Sequence, residues 1–269
     1  MPELLLDDIT LHYEVDGSGP PLLLIAGMAS DSASWAPLVP LLAPHFTVIR
    51  PDNRMTGRTR PIEAAVSLPL YAADCAALLA HLGLGAAHVM GHSMGGLIAM
   101  QLAASHADQV ATLSLLASAP LRSGRNQHIL ETMVDLRDSG APEDLWLRSF
   151  YPWLFTPSFF DDPANVPGAL SAAMAYAHAQ GAAAMRRQVE ALKELDAQAL
   201  VPQISAPVQA ILGAQDLLYP LEPTKAALNQ FVNIRLEIIE QAAHSAHWDA
   251  PDLVAEHLRA FITNAGATA

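Results

Sequence analysis

Most of the chain alternates between short apolar runs and longer stretches with helical spacing of apolar residues. Uninterrupted apolar runs of strand length predict strands that are buried on both faces. These runs are PLLLIAG, FTVIRPD, AAHVMGHS, ATLSLLAS, PVQAILG and IRLEIIE. Helices are predicted over residues 31–42, 67–85, 94–107, 221–230 and 251–264. Strands that alternate with helices predict an α/β fold, with a mostly parallel central sheet and helices on both faces.

Two regions depart from this alternation. Residues 3–15 have the period-two pattern of a short hairpin, which the turn residues DGSGPP end. From about residue 119 to residue 201 no buried strand is predicted, and helical stretches are broken by APED, TPS and DDPANVPG. We therefore predict a helical cap over residues 120–201, inserted into a core formed by residues 1–119 and 202–269.

Composition and charge narrow the class of protein. With 52% hydrophobic and 15% charged residues, the 269-residue chain is typical of a well-packed soluble protein with one large domain. The net charge of −13 disfavours nucleic acid and anionic membranes as partners. An acidic N-terminus predicts no signal peptide, and no apolar run reaches membrane-spanning length, so we expect a cytoplasmic protein. The single cysteine, Cys75, allows no intramolecular disulfide and is expected to be a buried apolar residue.

The segment VMGHSMGG joins a predicted strand directly to a predicted helix, with Ser93 at the corner. Only small residues fit two positions before and two positions after such a tight corner, and Gly91 and Gly95 stand there. This is the G-x-S-x-G pattern of a nucleophile elbow, which predicts that Ser93 is a nucleophile. The N–H of Met94, at the start of the helix, is then placed to stabilise an anion. A Gly-Ser turn without chemistry is the alternative.

A serine nucleophile needs a base and an acid that orients the base. Asp216 follows the strand PVQAILG and is the candidate acid. His244 and His247 both follow the last predicted strand, and His244 is nearer to the strand end. A metal site at these histidines lacks a third ligand at a recognisable spacing, so we expect no metal. The loop after the first buried strand is expected to supply a second oxyanion donor, the N–H of Met28.

Several segments together resemble the α/β-hydrolase superfamily, from about residue 4 to the C-terminus. They are PPLLLIAGMASDSASW, VIRPDNRMTGRT, GHSMGG, LGAQDLLYP and AAHSAHWDAP. The last segment resembles the one in which the family's catalytic histidine precedes an acid and a proline, which favours His244 over His247. Two departures are Ala26 before Gly27, where the family usually has histidine, and Met55, where it usually has glycine. The chain is most similar to small bacterial esterases and lactonases, such as 3-oxoadipate enol-lactonases and aminoacrylate hydrolases.

The resemblance and the motifs imply a serine hydrolase that cleaves a small-molecule carboxylic ester or lactone without a cofactor. The same triad could instead cleave a C–C bond, hydrolyse an aminoacrylate or form peracids. A hydrolase-fold protein that only binds a ligand is a third alternative, disfavoured because all three triad candidates are present. Seven of the 16 aromatic residues fall between residues 146 and 160, mostly as a core for the cap. Candidate residues for a substrate pocket are Trp146, Trp153, Phe155 and Arg125, with Arg122 as a second candidate partner for a substrate carboxylate.

Overall fold

The computed structural model describes residues 2–266, whose strands form an eight-stranded sheet. The strands are β1 (Glu3–Leu5), β2 (Thr10–Asp16), β3 (Pro21–Ile25), β4 (Thr47–Pro51), β5 (Ala87–His92), β6 (Val110–Leu116), β7 (Val208–Gly213) and β8 (Ile234–Ile239). Their order in the sheet is β1-β2-β4-β3-β5-β6-β7-β8. The pairs β1–β2 and β2–β4 are antiparallel, and the other five pairs are parallel. The predicted hairpin and the mostly parallel sheet are therefore confirmed.

Helices cover both faces of this sheet. They are α1 (Val39–Leu42), α2 (Leu68–Leu82), α3 (Met94–Ser105), α4 (Gly124–Asp138), α5 (Glu143–Leu154), α6 (Pro157–Asp161), α7 (Asn165–Ala175), α8 (Ala182–Lys193), α9 (Leu221–Leu228), α10 (Ala246–Asp249) and α11 (Pro251–Gly266). Alternate residues of β3 enter different apolar cores. Leu23 and Ile25 pack with α2 and α3, whereas Leu22 and Leu24 pack with α1 and α11. This explains why the strand is apolar throughout, since both of its faces are buried.

The prediction of one helix over residues 31–42 is wrong. The segment is a 3₁₀ turn over Ser32–Trp35, followed by the short helix α1. Pro37 and Pro40 lie in this segment, and proline has no N–H to donate to the preceding turn of a helix. Pro40 is therefore accepted only at the first turn of α1.

Five helices, α4 to α8, lie between the neighbouring strands β6 and β7. Helix α4 packs against α5 and α8, and α5 packs against α7. This insertion matches the predicted position of the cap (residues 120–201), and the division into separate core and cap units stays a prediction.

Cap side chains bond to loops of the sheet region. The Tyr176 hydroxyl donates to Asp31 Oδ2 at 2.8 Å, and Gln180 Nε2 donates to the Met55 carbonyl at 3.0 Å. On α8, the Arg187 guanidinium donates to the carbonyls of residues 63 and 64, each at 2.9 Å. The cap thus contacts the loops that follow β3 and β4, at the carboxyl edge of the sheet.

Among residues 2–266, no helix combines the length and apolar character that crossing a membrane requires.

Candidate active site

The corner between β5 and α3 holds Ser93 in a strained backbone conformation, with φ 54° and ψ −120°. A non-glycine residue with positive φ is held there only by its surroundings. The Ser93 N–H donates to the Leu116 carbonyl at 3.0 Å, and its carbonyl accepts from Ser118 Oγ at 2.8 Å. A side chain at Gly91 would overlap the backbone of Gly95. The predicted small residues are thus required by contact between strand and helix.

The structure brings Ser93, His244 and Asp216 into one hydrogen-bonded row. His244 Nε2 lies 3.0 Å from Ser93 Oγ, and His244 Nδ1 lies 2.9 Å from Asp216 Oδ2. The side chains of His244 and Asp216 are almost fully buried. Because a carboxylate only accepts, Nδ1 carries the ring proton, and Nε2 is left as the acceptor for the serine hydroxyl. This arrangement can remove a proton from Ser93.

The loop after β7 fixes the orientation of Asp216. Its Oδ1 accepts from the N–H groups of Leu218 and Tyr219, at 2.8 and 2.9 Å, which leaves Oδ2 to face the histidine. The Tyr219 ring stacks on the His244 ring, with 5.9 Å between centroids. Carboxylate and imidazole are therefore both positioned by residues directly after the strand.

Neighbouring side chains hold the loop that carries His244. The N–H at His92 Nε2 donates to the His244 carbonyl at 2.9 Å, and burial, with the nearby His244, lowers the pKa of His92 to about 3. Asp249 Oδ2 accepts from the Ala243 N–H at 2.8 Å. Burial raises the pKa of Asp249 to about 6, and the nearby Asp216 charge adds to this, against the bond from Ala243.

The other candidate base, His247, lies away from the serine. Its ring packs against the rings of Trp35 and His92, at centroid distances of 5.2 and 4.4 Å. Burial, followed by the neighbouring His92 and His244, lowers the pKa of His247 well below its usual value. It is a neutral packing residue, and the structure places His244 alone of the two at Ser93.

The loop after β3 passes directly beside the nucleophile. A side chain at Gly27 would come within 3.3 Å of Ser93 Cβ, and the Ala26 carbonyl accepts from Asn53 Nδ2 at 3.0 Å. Met28 and Met94 both line the cavity above Ser93. Within residues 2–266, neither of their N–H groups has a protein acceptor. Both groups are thus available to a bound oxyanion.

Two residues in the flanking loops adopt the left-handed region that favours glycine. Met55, at the family's usual glycine position, has φ 68° and is buried, and its carbonyl accepts from Gln180 of the cap. Ala29, next to the candidate oxyanion donor Met28, has φ 57°. Its N–H donates to Oε1 of Gln188 in α8. No sequence motif marks Gln188, because a glutamine in an amphipathic helix carries no recognisable pattern.

A cavity of about 1160 Å³ lies between the cap and the carboxyl edge of the sheet, with Ser93 and His244 in its wall. Two of the predicted pocket residues, Trp146 and Phe155, line it. Arg122 lines it as well. Most of the cap's contribution to the wall is apolar: Leu130, Leu147, Phe150, Leu154, Phe159 and Val189.

The other two predicted pocket residues, Trp153 and Arg125, are not among the described residues that line this cavity. Arg125 lies over the Trp153 ring, 5.9 Å from its centroid, and donates to the Leu217 carbonyl. Arg125 is exposed and contacts the loop after β7, and the half-buried Trp153 packs against the main apolar core.

No group of three or more His, Cys, Asp or Glu residues that could hold a metal ion occurs in residues 2–266.

Comparison with protein families decides the class of this chain. The model of the α/β hydrolase fold matches residues 20–251. The chain belongs to the α/β-hydrolase fold family. This confirms the resemblance drawn from the sequence motifs.

A relative from Agrobacterium fabrum, named "Putative carbamate hydrolase RutD", is 28% identical over 268 residues, which are 96% of this chain and 100% of the relative. A protein of the same name from Azorhizobium caulinodans is 28% identical over 94% of this chain and 95% of its own.

Solved α/β-hydrolase structures superpose on nearly the whole chain. A thermophilic esterase from Thermogutta terrifontis, solved with malate bound, has a TM-score of 0.84 and 25% identity, covering 98% of this chain and 99% of its own. The enol-lactonase from Burkholderia xenovorans has a TM-score of 0.85 and 23% identity, over 97% of this chain and 100% of its own. At 23% identity, the similarity to the enol-lactonase is a similarity of fold.

Proposed function

We propose that this α/β-hydrolase is a serine hydrolase that cleaves a small carboxylic ester or lactone through an acyl-enzyme. The observation that carries the proposal is the row from Ser93 Oγ through His244 to Asp216 in the cavity wall. A serine with a hydrogen-bonded base, whose base is in turn oriented by a buried acid, has the parts that nucleophilic catalysis needs. Each of the three residues follows a strand of the parallel sheet: Ser93 follows β5, Asp216 follows β7 and His244 follows β8.

In the proposed reaction, Ser93 Oγ attacks the substrate carbonyl carbon while His244 Nε2 takes the hydroxyl proton. Asp216 holds the imidazole in this tautomer and stabilises the imidazolium that forms. His244 then gives the proton to the leaving alkoxide oxygen, and an acyl-enzyme remains on Ser93. Water then attacks the acyl carbonyl and gives a proton to His244. His244 returns that proton to Ser93 Oγ as the bond to Ser93 breaks and the carboxylic acid leaves.

The negative charge on the carbonyl oxygen needs fixed donors in the tetrahedral intermediate. We assign this role to the N–H groups of Met28 and Met94, which lie beside Ser93 and have no protein acceptor among the described residues. The Met94 group is at the N-terminus of α3, where the helix dipole also favours an anion.

A carbamate is a second candidate substrate. The observation that favours it is the name of the relatives that are 28% identical over nearly the whole chain. Carbamates, esters and lactones share a carbonyl carbon with a leaving group, so the same attack by Ser93 applies to each. The esterase from Thermogutta terrifontis, at 25% identity, supports the ester.

Labelling with a fluorophosphonate tests the nucleophile. We expect one adduct per chain, mapped to Ser93 by peptide mass spectrometry, and no adduct in Ser93→Ala. Ser105→Ala is the matched control, since Ser105 is an exposed residue at the other end of α3. Ser93→Ala should also lower ester turnover to at most the ~10³–10⁴-fold enhancement over water that binding and the oxyanion site provide.

Either of two results would contradict the proposal: hydrolysis at a near-normal rate by Ser93→Ala, or a folded wild-type protein that forms no fluorophosphonate adduct. A panel of an aryl acetate, a five-membered lactone, an O-aryl carbamate and a β-diketone then separates the candidate substrates, with the same variants as controls. Cleavage of the diketone alone would favour C–C bond chemistry by the same triad.

A further inference from the structure

Gln188 of α8 is a buried polar residue that joins the cap to the loop beside the nucleophile. Its side chain is fully buried, and its two amide atoms have different partners. Oε1 accepts from the Ala29 N–H at 3.2 Å, and Nε2 donates to the Tyr71 hydroxyl oxygen at 3.0 Å. A buried amide with both of its atoms paired is held in one orientation, since a flip would lose both bonds.

The bonds around Gln188 have one consistent direction. The Tyr71 hydroxyl donates to the Arg54 carbonyl at 3.4 Å, so its oxygen is free to accept from Gln188 Nε2. Gln188 must therefore present Oε1, an acceptor, to the Ala29 N–H. Tyr71 is a buried residue of α2, so this hydrogen-bonded chain from Ala29 through Gln188 ends at a fixed side chain.

This contact acts on the strained residue next to the proposed oxyanion donor. Ala29 has φ 57°, a conformation that a non-glycine residue keeps only where its surroundings hold it. The bond from Ala29 N–H to Gln188 fixes the peptide plane between Met28 and Ala29. Because that plane limits the rotation of Met28, it also limits where the Met28 N–H points.

We propose that Gln188 is a positioning residue, which holds the Met28 N–H in the oxyanion site by accepting a hydrogen bond from Ala29. This inference rests on the proposed function, because it assigns Met28 to the tetrahedral intermediate. Gln188 is absent from the cavity wall, so it acts through the loop and touches no substrate. The cap then supplies part of the catalytic geometry as well as the walls of the cavity.

The test compares Gln188→Met, which keeps the size of the side chain and loses the acceptor, with wild type on one p-nitrophenyl ester. A displaced oxyanion donor costs up to 10²–10³ in rate. We expect kcat to fall roughly 10- to 100-fold, with KM changed less than threefold. The affinity for an alkyl trifluoromethyl ketone, which forms a charged tetrahedral adduct on a reactive serine, should fall in parallel with kcat/KM.

Two further variants separate positioning from loss of the cap's attachment. Gln188→Glu keeps an acceptor oxygen for Ala29 and should recover most of kcat. Arg187→Leu, one residue away on α8, removes two cap–core bonds that do not involve the oxyanion loop. We expect it to keep wild-type kcat and ketone affinity, even if its melting temperature falls as much as that of Gln188→Met.

The inference is overturned if Gln188→Met keeps wild-type kcat and ketone affinity, or if Arg187→Leu loses as much of both. If Gln188→Met does not fold, Gln188→Leu replaces it. Like Gln188→Met, that variant removes the acceptor for the Ala29 N–H, and a wild-type kcat and ketone affinity would equally overturn the inference. Failure of the proposed function looks different, because Ser93→Ala would then remain active or the wild type would hydrolyse none of the panel.

Discussion

At the scale of single residues, the groups around Ser93 each have a partner that fixes one of their atoms. One oxygen of Asp216 accepts from two backbone N–H groups, so that only the other oxygen faces His244. The His244 carbonyl is held by His92, and the preceding N–H, from Ala243, is held by Asp249. Preorganised bonds of this kind need no rearrangement when charge develops in a reaction.

Asp249 gives a prediction for stability against pH. Burial raises its pKa from 3.8 to about 6, so the folded protein binds this proton more tightly than the unfolded chain does. Its contribution to stability is therefore full below pH ~4 and is lost as the pH rises through about 6. Asp249→Asn keeps an oxygen acceptor for Ala243 and does not titrate. Its stability relative to wild type should improve by on the order of 1 kcal/mol from pH 4 to pH 7.5, allowing for partial exposure.

Urea midpoints of both proteins at the two pH values measure this difference. Asp252→Asn, at an exposed residue in the first turn of α11, is the control and should gain no stability relative to wild type from pH 4 to pH 7.5. A difference between Asp249→Asn and wild type that stays constant with pH would contradict the assignment.

At the scale of elements, strand and helix positions could be predicted because their patterns are local. The structure of residues 31–42 could not be predicted in this way, since their apolar spacing fits a helix and only Pro37 and Pro40 break it.

The three triad candidates could be found because each follows an apolar strand, and parallel strands end at one edge of the sheet. The role of Gln188 could not be predicted, because Gln188 accepts a hydrogen bond from Ala29, which is 159 positions away in the sequence. Trp153 is not among the described residues that line the cavity, and aromatic content alone does not tell which side of a helix meets a cavity.

The elbow between β5 and α3 yields a prediction at this scale. In Gly91→Ala the added methyl group would overlap the backbone of Gly95, which no rotamer change relieves. We expect a loss of roughly 1–3 kcal/mol or more in the free energy of unfolding, as in other overpacked sites. Fluorophosphonate labelling of Ser93 should slow as well, because strand and helix must separate. Urea unfolding and the labelling rate measure the two effects.

Gly124→Ala serves as the control, since the same methyl group at the start of α4 meets open space. It should leave both quantities close to those of wild type. Equal stability of Gly91→Ala and Gly124→Ala would contradict the close contact between Gly91 and Gly95.

At the scale of the whole molecule, the cavity joins two parts with different tasks. The sheet edge brings the polar row of Ser93, His244 and Asp216, and the cap brings a mostly apolar wall. Below the cap, Arg54 joins the N-terminal segment to α2, since it pairs with Asp8 and with Asp74. The cavity is thus lined by residues from the loops after β3, β5, β7 and β8 together with the cap.

The apolar wall predicts a preference for longer acyl chains. Each methylene moved from water to an apolar surface contributes about 0.8 kcal/mol, or about fourfold in kcat/KM. For p-nitrophenyl esters we expect kcat/KM to rise by up to this factor per methylene from acetate to hexanoate. Initial rates well below KM measure the series. A flat or falling series would mean that the acyl group does not meet the wall formed by Leu130, Leu147 and Phe150.

The insertion of the cap between β6 and β7 bears on how such proteins diversify. Because these strands are neighbours, the inserted chain leaves the sheet and returns to it at adjacent positions, and another insertion could replace it without disturbing the strand order. A transplanted cap would bring new cavity walls, but it would also remove the acceptor for the Ala29 N–H. On the role proposed for Gln188, a grafted cap that lacks its equivalent would bring a new substrate range with weakened catalysis.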